Sequence, residues 1–350
     1  MRRWLLLQIG RAGLAAWVTA SLVFVLNRAL ATGAEGSLLG ETPDLQTHTV
    51  ATNPAARQAL RQRLGLDEPV FYVTRSRRDP AAWRWHGTHN QYHHWVVGLL
   101  QGQLGWSYRN GQPIGPQLRT ALVYTLPLTG LAAATATLSA LALGLVLAGG
   151  PLGAAATGWR ASLQVLLTSL QGIPVFALAL GLLFLFANPD ALDLLPAYSL
   201  ADNPAGLPPA AHALQLIMPV LTLVLAVLPE LALPLAAALR HELHAHYATT
   251  ARAKGVPAAT LLRRHALPNA LLPLLTSFAG LLPTLLAGTV LVETVFALPG
   301  MGRLLAEAAA AHDYPVVVTG VLFAAGVRLL CLALADVLYA LADPRIRLAS

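Results

Sequence analysis

Residues 121–149 read ALVYTLPLTGLAAATATLSALALGLVLAG and contain no aspartate, glutamate, lysine or arginine. A helix needs roughly 20 such residues to cross the hydrocarbon core of a bilayer. Runs of the same kind recur along the chain and predict six spans: Leu5–Leu30, Ala121–Gly149, Leu163–Ala187, Leu214–Leu239, Leu271–Val292 and Val316–Leu341. In lipid each must be helical, because every backbone polar group has to be satisfied inside the segment. The expected fold class is all-α, a polytopic transmembrane helical bundle with six spans. Prolines in spans four and five (Pro219, Pro229, Pro234, Pro273 and Pro283) read as kinks, which membrane helices tolerate. Composition agrees. Of 350 residues, 56% are hydrophobic and 11% charged, against about 25% charged in soluble domains. The first run is too long for a secretory leader and lacks a clear small-residue cleavage site, so it reads as a retained span.

The formal net charge is +7, and its placement matters more than its size. The basic residues lie mainly in loops between spans, which reads as orientation in a membrane and not as nucleic-acid binding. With the N-terminus inside, the inner segments hold Arg2, Arg3 and Arg11, then Arg160, then Arg240, Arg252, Lys254, Arg263 and Arg264, and finally Arg345 and Arg347. The two short outer loops, near 188–213 and 293–315, set Arg303 against Asp190, Asp193, Asp202, Glu307 and Asp313. Both termini are therefore expected in the cytoplasm. On this reading residues 1–30 are the first transmembrane helix, 31–120 an extracytoplasmic segment, and 121–350 the main transmembrane domain. Within the outer segment Asn53, Pro54 and Gly65 bracket a short helix over Ala55–Leu64 as cap, first-turn proline and stop. A single cysteine, Cys331, leaves no intrachain disulfide.

The inner loop at 240–270 carries a helical pattern of its own. Thr249 through Lys254 reads as a helical turn that Gly255 stops. Pro257 then starts a second helix, with Leu261 and His265 four apart on one side, and Leu267-Pro268 ends it. Such a pair of short helices is either a rigid knob for another protein to grip or an ordinary linker between spans.

Thr250-Ala251-Arg252-Ala253-Lys254-Gly255, then nine residues, then His265-Ala266-Leu267-Pro268-Asn269-Ala270 resembles the "EAA" loop of ABC importer permeases. It is most similar to the branch that imports dipeptides, oligopeptides and nickel. Other motifs of that branch follow in order: Leu64-Gly65-Leu66-Asp67, Gly102 through Ser107, Glu293 with Pro299, Gly300 and Gly302 after span five, Asp313-Tyr314-Pro315-Val316, and Asp343 through Arg347. The resemblance implies a type I permease fold in the bacterial cytoplasmic (inner) membrane. It implies two ABC ATPase subunits, a second homologous permease subunit and an extracytoplasmic solute-binding protein as partners. ATP and Mg would be bound by the ATPases, with no cofactor and no enzymatic site in this chain. The loop, from Thr250 on, would dock into an ATPase, with Ala251, Gly255, His265, Leu267 and Pro268 in the knob and Arg252 and Lys254 as its charged rim. The chain departs from the pattern at Thr249-Thr250-Ala251, where general loops begin Glu-Ala-Ala, and in an extra polar stretch near Phe71–Trp95. A nickel or metal-chelate importer of the same family is the alternative, and a membrane scaffold or exporter component the alternative from another class.

A phosphate-binding loop needs Gly-Lys-Ser/Thr, but the one lysine, Lys254, is followed by glycine. His86, His89 and His93 would share a face if helical and could ligate Zn²⁺ or Ni²⁺; the plainer reading of this stretch, with Trp83, Trp85 and Trp95, is an interfacial segment. Inside the spans Glu230, Arg328 and Asp336 are ionisable, and an unpaired charge at mid-bilayer costs at least ~2.5–3.5 kcal/mol. Each is expected to face the bundle interior or a water-filled path. Glu230 and Arg328 are expected to pair, as part of a translocation path or as a buried structural ion pair.

Overall fold

The structure is a computed structural model and describes residues 10–11, 13–26, 68–75, 83–149, 158–195 and 209–342. The short helix expected over Ala55–Leu64, the motifs at Leu64–Asp67 and Asp343–Arg347, and Arg2 and Arg3 lie outside these residues, as does the side chain of Asp336. In chain order the elements used below are α1 (Gly13–Leu26), strands β1 (Val73–Arg75) and β2 (Trp83–Trp85), α2 (Gln91–Leu100), α3 (Ile114–Ala148), α4 (Trp159–Gln171), α5 (Val175–Ala187), α6 (Pro209–His244), α7 (His246–Ala253), α8 (Leu267–Val295), α9 (Met301–Ala310) and α10 (Tyr314–Ala342). Residues 1–16, 120–307 and 323–350 form one compact unit, and residues 17–119 and 308–322 a second.

Among the described residues three helices are long and apolar enough to cross a membrane: Ile114–Ala148, Leu214–His244 and Tyr314–Ala335. The pair α4 and α5 adds a fourth if counted as one bent span, and Gly13–Leu26 and Gly280–Val295 are shorter apolar helices. The third expected span is therefore not one straight helix. The chain bends by 111° between its halves, because Pro174 brings no N–H and disfavours helical backbone at Ile173. By contrast α6 runs on through Pro219, Pro229 and Pro234.

In the first unit α6 is the centre, packed against α8, α5 and α4. Met218, Leu223, Ala232 and Leu239 on it are almost completely buried. Helix α3 presents Leu128, Ala132, Ala136 and Ala140, four residues apart and all buried. The row ends at Gly144, where a Cβ would meet Leu235 Cδ2 of α6 at 2.6 Å. Small residues in such a row let two backbones approach closely, as membrane helix pairs require. The opposite side of α3 leaves Val123, Leu126, Leu131 and Leu138 exposed, which suits a surface bathed in lipid.

The second unit is built on an antiparallel ribbon that pairs Val73 with Trp85 and Arg75 with Trp83. Phe24 of α1 meets Tyr92 and Trp95 of α2 at ring separations of 5.2 and 5.3 Å, and Ser21 Oγ lies 2.6 Å from the Tyr92 hydroxyl. Asp313, just before α10, is buried. Its carboxylate accepts hydrogen bonds from Ser107 Oγ and, at 3.0 Å, from the Tyr108 N–H. Two motifs far apart in sequence, Gly102–Ser107 and Asp313–Val316, thus hold each other.

Candidate functional site

The loop at 240–270 folds as an elbow on the end of α6. After His244 a single extended residue, Ala245 (ψ 154°), breaks the helix, and α7 begins at His246. Helix α7 closes with Gly255 in the left-handed region at φ +79°. The Val256 N–H reaches back to the Ala251 carbonyl (3.1 Å) and the Gly255 N–H to Arg252 (2.9 Å). This is the Schellman arrangement, which satisfies last-turn carbonyls and favours glycine at the reversal. The stop expected at Gly255 is present, as is the restart after Pro257, which caps Ala258–Thr260.

Two details differ from expectation. Leu261 through Ala266 form a π-helical turn, so Leu261 and Ala266, five apart, face inward, while His265 is exposed. Nor do Leu267 and Pro268 end the segment. The turn runs straight into α8, with Pro268 in its first turn, where a missing N–H is least costly. The elbow is thereby continuous with α8, while Ala245 alone separates it from α6. Its inner face, Ala248, Leu261, Ala266 and Ala270, packs with Leu235, Leu239 and Leu243 of α6 and with Ala148 of α3. Arg240 donates from Nη2 to the Leu147 carbonyl at 3.1 Å and so caps the end of α3. Thr250, Lys254, Gly255, His265 and Pro268 are exposed, and Ala251, Arg252 and Leu267 are half-buried. All eight residues singled out for the loop thus lie on the stretch from α7 through the first turn of α8. Sequence reasoning missed Glu242. It is the one acid between Arg240 and Ala270, and its Oε2 accepts from the Tyr247 hydroxyl (2.7 Å) and from Asn269 Nδ2 (3.2 Å). Burial, and then the neighbouring Glu242 carboxylate, push the Tyr247 hydroxyl above its ordinary pKa, so it remains a donor.

The motif after α8 is of another kind. The Glu293 carboxylate is fully buried. It accepts from Thr125 Oγ1 of α3 (2.6 Å), from the Arg303 N–H (3.1 Å) and from the Gly302 N–H, the latter two at the start of α9. An anion is stabilised at a helix N-terminus. Thr125 Oγ1 in turn accepts from the Met301 N–H at 2.8 Å. A Cβ on Gly300 would collide with the Glu293 carboxylate, and one on Gly302 would stand 2.5 Å from Val290 Cα. Helix α8 ends with Ala297 in the left-handed region (φ +57°), and Arg303 Nη1 donates to its carbonyl at 2.7 Å. This is a clamp, closed on all sides.

Residues 157–348 match the family described as "Binding-protein-dependent transport system inner membrane component". The chain belongs to this family. It is 34% identical over 313 residues to the probable D,D-dipeptide transport system permease protein DdpB of Escherichia coli (strain K12), covering 82% of this chain and 83% of that protein. The di/tripeptide transport system permease protein DppB of Pseudomonas aeruginosa (strain UCBPP-PA14) is 32% identical, with 84% and 86% covered. The glutathione transport system permease protein GsiC of Pectobacterium atrosepticum is also 32% identical, with 84% and 85% covered.

The remaining expected site residues of this transport-system permease are scattered. Glu230 and Arg328 are both exposed, and among the described residues no ion pair joins them; the pairs present are Arg303–Glu307 and His94–Glu68. The histidines do not share a helix face, because α2 starts only at Gln91, after the Asn90 cap. His86 lies 2.7 Å from Thr74 Oγ1 and His93 lies 3.0 Å from the Tyr72 hydroxyl. Among the described residues no group of three metal-binding side chains converges.

Proposed function

We propose that this permease forms half of the pore of an ABC importer that carries peptides across the cytoplasmic membrane of a bacterium, driven by ATPase partners. The observation that carries the reading is the elbow. A glycine-closed turn, exposed at its tip, is welded to α6 and α8, so a push on it moves two apolar helices together. The relatives named above are permeases of dipeptide, di/tripeptide and glutathione transport systems, which supports small peptides as cargo. In this reading six spans with both termini in the cytoplasm put 240–270 on the ATPase side and residues 31–120 outside. Two ATPase subunits bind ATP and Mg, a second permease completes the pore, and a solute-binding protein delivers the peptide.

Helix α6 favours one side for the path. From Glu230 onward the residues it exposes are Glu230, Pro234, Ala237, His241 and His244, which recur at helical spacing on one face. A carboxylate there needs water or a polar partner, and a pore lined by two permeases provides the first. Arg328 and Asp336 on α10 take the same role. The test is uptake of labelled dipeptides and nickel chelates by proteoliposomes holding the permease pair, the ATPases and the binding protein. ATP-dependent dipeptide entry that disappears with Glu230→Leu is the expected result. Uptake of nickel chelates alone, or a purified permease pair that never retains an ATPase, would overturn it.

A further inference from the structure

The local sequence accounts for the break between α6 and α7 only in part: the His244 Nδ1 lies 2.7 Å from the Arg240 carbonyl, a contact within the last turn of α6 that reaches nothing beyond the break. Sharp helix kinks have identifiable causes, chiefly proline, glycine, a π-bulge or an inserted side chain. The break falls at Ala245, with neither proline nor glycine beside it, and α7 has no side-chain cap. Alanine is among the poorer capping residues. Left to itself, the segment from Arg240 to Ala253 would gain by running on as one helix. Packing of Leu243 and Ala248 into the inner face of the elbow seats α7 but is non-directional.

The directional contact is the Glu242 carboxylate. It sits three residues before the break, and the Tyr247 hydroxyl that donates to it sits two residues after. Its second donor, Asn269, belongs to the start of α8. One oxygen therefore ties the end of one apolar helix, the first turn of the elbow and the start of the next apolar helix. Hydrogen bonds to a charged acceptor are the stronger class. We propose that Glu242, acting through Tyr247 and Asn269, is a positioning residue that sets the angle of α7 and makes α6, the elbow and α8 move as one body. This rests on the permease reading above and adds to it where the elbow gets its stiffness.

Two measurements separate the geometry from the coupling. Nitroxide labels at Ala253→Cys and His241→Cys, in a Cys331→Ala background of the full chain, report the angle at Ala245 without any partner. A single narrow distance is expected for the parent and a broadened one for Glu242→Ala, with Glu242→Gln partly restoring it because the amide oxygen still accepts. In the complete transporter, peptide uptake per ATP hydrolysed should fall about tenfold for Glu242→Ala, the equivalent of about 1.4 kcal/mol. Tyr247→Phe, which removes one hydroxyl and keeps the ring, should fall less and serves if Glu242→Ala does not fold. An unchanged distance distribution in Glu242→Ala, or an unchanged uptake-to-hydrolysis ratio in both variants, overturns the proposal. Loss of ATPase binding by the parent itself would instead count against the permease reading, and the label distances would still stand.

Discussion

Two helices of this permease end in the same hydrogen-bond pattern but for opposite reasons. Helix α7 closes with Val256 bonding back to Ala251 around Gly255, and α8 closes with Leu298 bonding back to Glu293 (2.9 Å) around Ala297. At the elbow the reversal uses glycine, and a Cβ there would meet nothing within 4 Å. The sequence itself sets that turn, and the surroundings are open. At the clamp the reversal uses an alanine in a conformation that costs roughly 1–2 kcal/mol for an L-residue. Arg303, Glu293 and the close approach of Gly300 and Gly302 hold it there. A turn left free at its tip has to carry its own conformational preference, whereas a turn inside a network can borrow one. The first suits a part that another protein grips, the second a part that must not yield.

That contrast can be broken at three points. The largest effect belongs to Glu293→Ala, which strips partners from the Thr125 hydroxyl and the Arg303 and Gly302 N–H groups at about 1–3 kcal/mol each. Thermal unfolding in detergent should show a melting point many degrees lower and poor recovery of folded protein. Next comes Gly255→Ala, expected to cost about 1 kcal/mol through the left-handed turn alone. Its melting point should barely move while peptide uptake drops, and a collapse as severe as that of Glu293→Ala would erase the distinction drawn here. The smallest shift, and the one of opposite sign, is Ala297→Gly. Relief of the strained turn should raise stability by no more than about 1 kcal/mol, less what glycine adds to the entropy of the unfolded chain, readable as a small upward shift of the same transition.

The features legible in the sequence were those written in neighbouring residues. Long apolar runs marked α3, α6 and α10, and Gly255 and Pro257 marked the stop and restart of the elbow. The break at Gly172-Ile173-Pro174 was hidden, because prolines inside α6 look the same in a hydropathy profile yet leave that helix unbroken. The π-turn at Leu261–Ala266 was hidden too, since a spacing of five between buried residues is read as four when regular helix is assumed. Glu293, Gly300 and Gly302 could be recognised as a motif, but their partner Thr125 lies far away in the chain and only folding brings it in. The histidines around His89 looked like a ligand set only while one helix was assumed to run through them.

The bend between α4 and α5 constrains the lipid itself. Each arm has 13 residues, or about 20 Å of helix, shorter than the roughly 30 Å thickness of hydrocarbon. The corner at 171–174 is exposed, and it leaves the final carbonyls of one arm and the first amides of the next beyond the reach of a continuous helical ladder. Oil offers such groups no partners. Wherever such a corner stands at the depth of the hydrocarbon, an even slab of lipid does not suit it: the bilayer has to thin, admit water, or give way to a neighbouring polypeptide.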